Sequence, residues 1–226
     1  MKKLITLNII TLLFGISNVK SQDCTFYFPQ KPGTVMIINH YKTNDKFSGT
    51  TKTKIIEATG SSIKFSSEYI NDQGKSLNSG EYEVKCKNGE FAMDMSSLTN
   101  KMNLSAFKNM KTDIQYDEIT LPSDLQPGEQ LNNGEVRINI SNNGMTIMKT
   151  TIKITNRKVV DIENITTPAG TFQCAKITYD VETQSLVTTH SKGVEFISKQ
   201  AGVVRSESYD SKDKLQSYSV LNSVAD

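Results

Sequence analysis

Between residues 152 and 183 the chain spells out strand, turn and strand with almost nothing else. Three β-like runs, 148–154, 158–165 and 171–181, are broken by Asn156-Arg157 and by Pro168-Ala169-Gly170. Proline presets φ for the first corner of a turn, and glycine supplies positive φ further on. Val, Ile and Thr alternate with polar residues, as in antiparallel sheet with one wet face. A chain written this way is expected to be all-β, largely an antiparallel meander.

The same grammar covers most of the rest. Strand-like runs fall at 34–41, 47–58, 62–70, 79–86, 91–95, 136–140, 145–154, 186–198, 202–209 and 214–221. Asn88-Gly89 and Asn143-Gly144 are strong signals for two-residue hairpin turns. One hairpin recurs: Tyr41 to Phe47 and Tyr209 to Leu215 share the spacing Tyr, three residues, Asp-Lys, apolar, and Tyr69 to Leu77 is a looser copy. These loops read either as a repeated binding element or as plain turn chemistry, and the turn reading is favoured. Leu98, Met102, Ala106 and Met110 recur every fourth residue, which predicts one short helical interruption near 97–110. Residues 113–131 read as a long polar connection holding a short strand at 118–121. No linker divides the chain, so residues 22–226 are expected to form a single exported β-domain.

Export is read from the start of the chain. Met1-Lys2-Lys3 precedes a nearly uncharged run at 4–16 and then Ser17-Asn18-Val19-Lys20-Ser21. A basic start, a short apolar stretch and small residues form a secretory signal, so 1–21 is predicted to be removed. The apolar run is too short to span a bilayer as a helix, so no transmembrane segment is expected in the mature chain. Removal takes Lys2, Lys3 and Lys20 and leaves 23 basic against 24 acidic residues. With no basic patch, nucleic acid is not an expected partner. Cys24 invites a lipoprotein reading, but Ser21-Gln22-Asp23 lacks the small apolar run that would precede a lipidated cysteine.

Catalytic constellations are sparse. His40 and His190 are the only histidines, and neither has a second His or Cys at ligand spacing, so no metal site and no cofactor are expected. No Gly-x-Ser-x-Gly frames a nucleophile. A hydrolase would need one histidine in a cleft beside a serine and a carboxylate, and no catalytic residue is assigned. Met93, Met95, Met102, Met145 and Met148 cluster around and beyond the helical interruption. They read as ordinary core filler, or as the pliable lining of a cavity for a lipid-like ligand. Cys24, Cys86 and Cys174 imply one disulfide and one odd thiol in an oxidising compartment. In an up-and-down meander all three fall at the same end. The pair favoured is Cys86 with Cys174, with Cys24 as the odd thiol or as a substitute partner.

Four segments, 80–86 (Gly-Glu-Tyr-Glu-Val-Lys-Cys), 154–159 (Ile-Thr-Asn-Arg-Lys-Val), 166–174 (Thr-Thr-Pro-Ala-Gly-Thr-Phe-Gln-Cys) and 201–209 (Ala-Gly-Val-Val-Arg-Ser-Glu-Ser-Tyr), resemble the TapB-like family of exported bacterial proteins. A departure is Gln200-Ala201-Gly202, where such proteins often carry Gly-Val-Gly. The resemblance implies an exported all-β protein shaped as a curved sheet or half-open barrel, periplasmic or extracellular in a Gram-negative bacterium. It implies no catalytic residues. The function expected is non-catalytic binding of an apolar or amphipathic ligand; the alternative is a structural or adhesion module of the envelope with a solid core.

Overall fold

A computed structural model describes residues 27–94 and 110–226. These residues contain thirteen strands: β1 (Val35–Lys42), β2 (Phe47–Ala58), β3 (Ser62–Asn71), β4 (Ser76–Lys87), β5 (Glu90–Asp94), β6 (Lys111–Tyr116), β7 (Glu118–Pro122), β8 (Gly134–Asn142), β9 (Met145–Thr167), β10 (Gly170–Gln184), β11 (Thr188–Ser198), β12 (Gly202–Asp210) and β13 (Leu215–Ala225). They form one sheet in the order β6-β8-β9-β10-β11-β12-β13-β1-β2-β3-β4-β5-β7. Every neighbouring pair is antiparallel, and β13 pairs back onto β1 to join the two meanders. The fold is all-β, as expected, and the sheet curls into a barrel that is closed except for one seam.

The pairings give every strand a direction. If β1 ascends, then β3, β5, β8, β10 and β12 ascend, and both β6 and β7 descend. Only Asp117 separates those two edge strands. Residues 111–122 are therefore one descending run whose upper half bonds to β8 and whose lower half bonds to β5. The seam lies where this run changes partner. β6 was not legible in the sequence, because its Lys-Thr-Asp-Ile-Gln-Tyr is mostly exposed and joins the sheet through its backbone.

Both Asn-Gly pairs turn as read: Asn88 and Gly89 sit at φ 53° and 82°, and Asn143 and Gly144 at 48° and 82°. The three recurring hairpins share one geometry. Asp45, Gly74 and Asp213 take φ 56°, 76° and 59°, and each is followed by the lysine that restarts the strand. The backbone bonds match as well: Lys42 N to Lys46 O (2.9 Å), Asn71 N to Lys75 O (3.0 Å) and Asp210 N to Lys214 O (3.0 Å). The copy at 69–77 is thus the same turn.

Asn156-Arg157 does not turn. β9 runs unbroken for 23 residues, and Asn156 (φ 54°) forms a bulge opposite Tyr179, where the register to β10 slips between Thr178 and Asp180. A bulge adds one residue to a strand and changes the phase of its side chains. Ile154 faces the interior above it, and Arg157 and Val159 do so below it, both buried.

The lower barrel is filled. Ile55, Ile63, Phe65, Val84, Val159 and Leu221 are fully enclosed. Phe65 stacks on Tyr82 (centroids 4.9 Å, planes 16°) and meets the edge of Phe28 (4.9 Å). Tyr27 and Phe28 precede the first strand and plug the lower end. Tyr27 is 1% exposed and donates a hydrogen bond to the Pro122 carbonyl. Phe28 packs on Gly202, where φ is 70° and an added Cβ would lie 2.5 Å from the Phe28 ring. A second cluster, Val136, Ile138, Ile140 and Ile154, lines the inner face of β8 and β9. The helical interruption near 97–110 lies outside the described residues except for Met110, which packs on this second cluster.

The pairing favoured for the cysteines is overturned. Cys174 is a free, fully buried thiol on β10, and six strands stand between β10 and β4, which carries Cys86. Sharing a rim does not bring strands on different sides of a barrel within disulfide reach. Cys86 is not a free thiol, and Cys24 lies outside the described residues. Burial pushes the Cys174 thiol up to about 11. The stability this contributes is complete below the ordinary value near 9 and is lost as pH rises through 11. Native protein at pH 8 is expected to leave Cys174 unlabelled by iodoacetamide until urea unfolds it. Non-reducing peptide mapping is expected to recover Cys174 as a free thiol; a disulfide-linked peptide containing it would contradict this.

Candidate ligand cavity and the seam beside it

Above the aromatic plug the barrel is hollow, with a cavity of about 250 Å³. Its floor is apolar: Phe28, Met36, Phe91, Leu121, Ile197 and Val203. Its upper wall is polar, with His40, Tyr69, Asn78 and Ser79 lining it toward the upper end. The polarity comes from small hydroxyl residues placed inward by strand alternation. Ser206 and Ser219 face each other across β12 and β13 and bond at 2.7 Å. Thr53 bonds Ser67 at 3.4 Å, and His40 Nε2 bonds Thr51 Oγ1 at 2.7 Å. Tyr82 also lines the cavity, and burial pushes its phenol up to about 12.

One wall carries charge. Tyr179 Oη donates to Glu195 Oε1 at 3.2 Å, and both line the cavity with Arg157. Burial and the neighbouring carboxylate hold the Tyr179 phenol well above its ordinary value. Burial lowers the Arg157 guanidinium, and the attraction of Glu195 works against that. Gly193 makes this arrangement possible: it pairs with Tyr179, and an added Cβ would lie 2.2 Å from the ring.

Arg157 also braces the seam. Its Nη1 donates to Asn132 O (2.8 Å), Asn132 Oδ1 (3.1 Å) and Thr120 O (3.5 Å). Asn132 in turn clips the free edge of β7 as a neighbouring strand would. Its Oδ1 accepts from Thr120 N (2.8 Å) and its Nδ2 donates to Glu118 O (2.8 Å). Two side chains thus stand in for a missing ladder.

Met93 lines the cavity, whereas Met145 is 69% exposed at a hairpin tip and Met148 packs on the second cluster. Met95 and Met102 lie outside the described residues. Sequence reasoning missed Met36, Arg157, Tyr179 and Glu195; the signal for Arg157 was Asn156, a residue that tolerates positive φ inside a strand. His190 sits on the outer surface, its Nδ1 3.8 Å from Glu182 Oε2. Among the described residues no three His, Cys, Asp or Glu side chains are grouped to hold a metal. The outer face carries ion pairs such as Lys64–Glu81 (2.6 Å) and Lys85–Glu83 (3.1 Å). A membrane-spanning barrel has the reverse polarity, with an apolar band outside.

A model of the DUF3108-like family matches residues 31–221, which takes in every strand of the barrel except the last residues of β13. The chain belongs to the DUF3108-like family. The TapB-like membership suggested by the four sequence segments is not confirmed by this match. A search of curated proteins finds no match. Two solved structures resemble this DUF3108-like chain over 90% of its length and 100% of their own. One is a protein of Bacteroides fragilis inferred to be exported, with a YmcC-like fold, at 27% identity and a TM-score of 0.73. The other is a protein of Parabacteroides distasonis inferred to be a lipoprotein, at 30% identity and a TM-score of 0.76.

Proposed function

We propose that this DUF3108-like protein is an envelope protein that binds a small amphipathic ligand inside its barrel and does no chemistry on it. The observation that carries the reading is the cavity of about 250 Å³ with an apolar floor and a hydroxyl-rich upper wall. Apolar cavities of ~150 Å³ already take up benzene. An acyl or similar tail fits among Phe28, Met36 and Phe91, with its polar end among Ser206, Ser219 and His40. Export is supported by the N-terminal pattern and by the inferred localisation of the two relatives. Within the family, the four segments quoted above support a TapB-like subgroup.

Decanoate titrated calorimetrically is expected to bind with a negative heat-capacity change, the mark of apolar burial. Ser67→Phe, which fills the cavity from β3, is expected to weaken binding about tenfold or more, which is about 1.4 kcal/mol. Equal binding by the variant, or none by the wild type together with no ligand retained in native mass spectra of protein from its own host, favours the alternative of an envelope module without a ligand.

A further inference from the structure

The upper rim has two chemically different halves. On one side the hairpins after β1, β3 and β12 end in Asp45-Lys46, Asp72 with Lys75, and Asp213-Lys214. On the other side stand the β8–β9 and β10–β11 hairpins, and their tips contain no acid. From 138 to 150 the one charged residue is Lys149, and from 183 to 189 there is none. These neutral tips expose large apolar side chains: Leu186 is 100% exposed, Val187 72%, Met145 69% and Ile147 51%. Turns normally put polar residues there, so four such side chains on two adjacent tips need a reason.

The two tips form one surface. β9 pairs with β10 only from Thr151 onward, so its first six residues, Met145 to Thr150, rise above the β10–β11 turn, paired with β8 alone. Thr150 Oγ1 bonds Ser185 Oγ at 3.3 Å and ties the turn against the base of the rising hairpin. Along the first residues of β9, Met145, Ile147 and Lys149 are all exposed, with a bulge at Ile147 where the register to Ile140 and Ser141 slips. An apolar tip with an exposed lysine at its base suits a bilayer surface: the apolar groups enter the acyl boundary, and the ammonium stays at the level of the phosphates. The same end of the barrel carries the polar upper lining of the cavity at His40 and Tyr69.

We infer that Met145, Ile147, Leu186 and Val187 form a tip that inserts into a lipid surface and sets the upper, polar end of the cavity toward it. The inference deepens the ligand-binding reading and rests on it for the purpose of the docking, though not for the docking itself. A protein partner is the competing occupant; the two tips themselves carry no charge, and the charged groups beside them, Lys149 and Lys111 and Asp113 of β6, lie at the base of the β8–β9 hairpin.

The test is co-sedimentation of the exported form with vesicles of phosphatidylethanolamine and phosphatidylglycerol, compared with Leu186→Asp/Val187→Asp and with Met145→Asp. The wild type is expected to partition into the vesicle fraction and the double variant about tenfold less. All three proteins are expected to share one thermal midpoint, because the altered positions are exposed. Equal partitioning of wild type and variants overturns the inference, as does no partitioning by the wild type. Sedimentation velocity without lipid supplies a further outcome: a dimer that Leu186→Asp/Val187→Asp dissolves would make the tip a protein interface and overturn the inference. Decanoate calorimetry on the same double variant separates the two readings. Retained decanoate binding with lost vesicle binding supports both, and vesicle binding without any decanoate binding removes the ligand-binding reading alone.

Discussion

Arg157→Ala is expected to destabilise the barrel by about 3–5 kcal/mol, with the loss concentrated at the seam. Arg157 is 4% exposed and donates to two carbonyls and the Asn132 side-chain oxygen. Alanine leaves those part-buried acceptors without their donor, and each group left unsatisfied away from water costs about 1–3 kcal/mol. It also frees Asn132 from the position in which it pairs with Thr120 and Glu118. Urea unfolding measures the cost. Asn132→Ala alone is expected to lose less, because its backbone carbonyl remains and its amide is near water. The double variant is expected to fall short of the sum by about 1 kcal/mol or more, as contacting residues do. Strict additivity would mean that Arg157 and Asn132 act independently and that the seam is held elsewhere. Hydrogen exchange gives a local check: Thr120 N–H is expected to lose protection in both single variants before the strands of the lower core do.

Phe65→Ala is expected to cost about 3–5 kcal/mol. The ring is fully buried, stacked on Tyr82 and in edge contact with Phe28, and its cross-strand partners are Ile55 and Tyr82. No neighbour can collapse into the space, because Ile55 and Ile63 are held in their own ladders. The void adjoins Phe28 and Tyr82, which line the cavity, so the substitution deepens the cavity as it weakens the plug. Thermal unfolding reads the stability. Decanoate calorimetry is expected to show retained or tighter binding of longer chains. A cost of only a few tenths of a kcal/mol would mean that Phe28 and Tyr82 close the gap and that the plug is not rigid.

Much of the architecture was legible because the physics is local. Val136, Ile138 and Ile140 alternate in sequence and face the core at 0% exposure, since side chains alternate along any strand. The Asn-Gly and Asp-Lys turns were legible because positive φ selects those residues. Asn156 carried the same signal but was read as a turn. Local sequence does not say whether a positive-φ residue reverses the chain or bulges it. That depends on whether the following residues find the same neighbour, and here Lys158 onward stays on β10.

The candidate site was less legible. Met93 reached the cavity, but Met145 went to a hairpin tip, because a tip residue has no sheet above it whatever its hydrophobicity. Cys86 and Cys174 do fall at the same end, as strand parity gives, but on different sides of the barrel, which strand parity does not contain. The sequence alone determined the β character, the turn positions and the inward or outward phase of most strands, because periodicity and φ preferences act over a few residues. Tertiary structure decided how the sheet curls, where residues 111–122 change partner, and that Arg157 and Asn132 brace the resulting seam. Those outcomes depend on contacts between residues far apart in the chain, which no local pattern encodes.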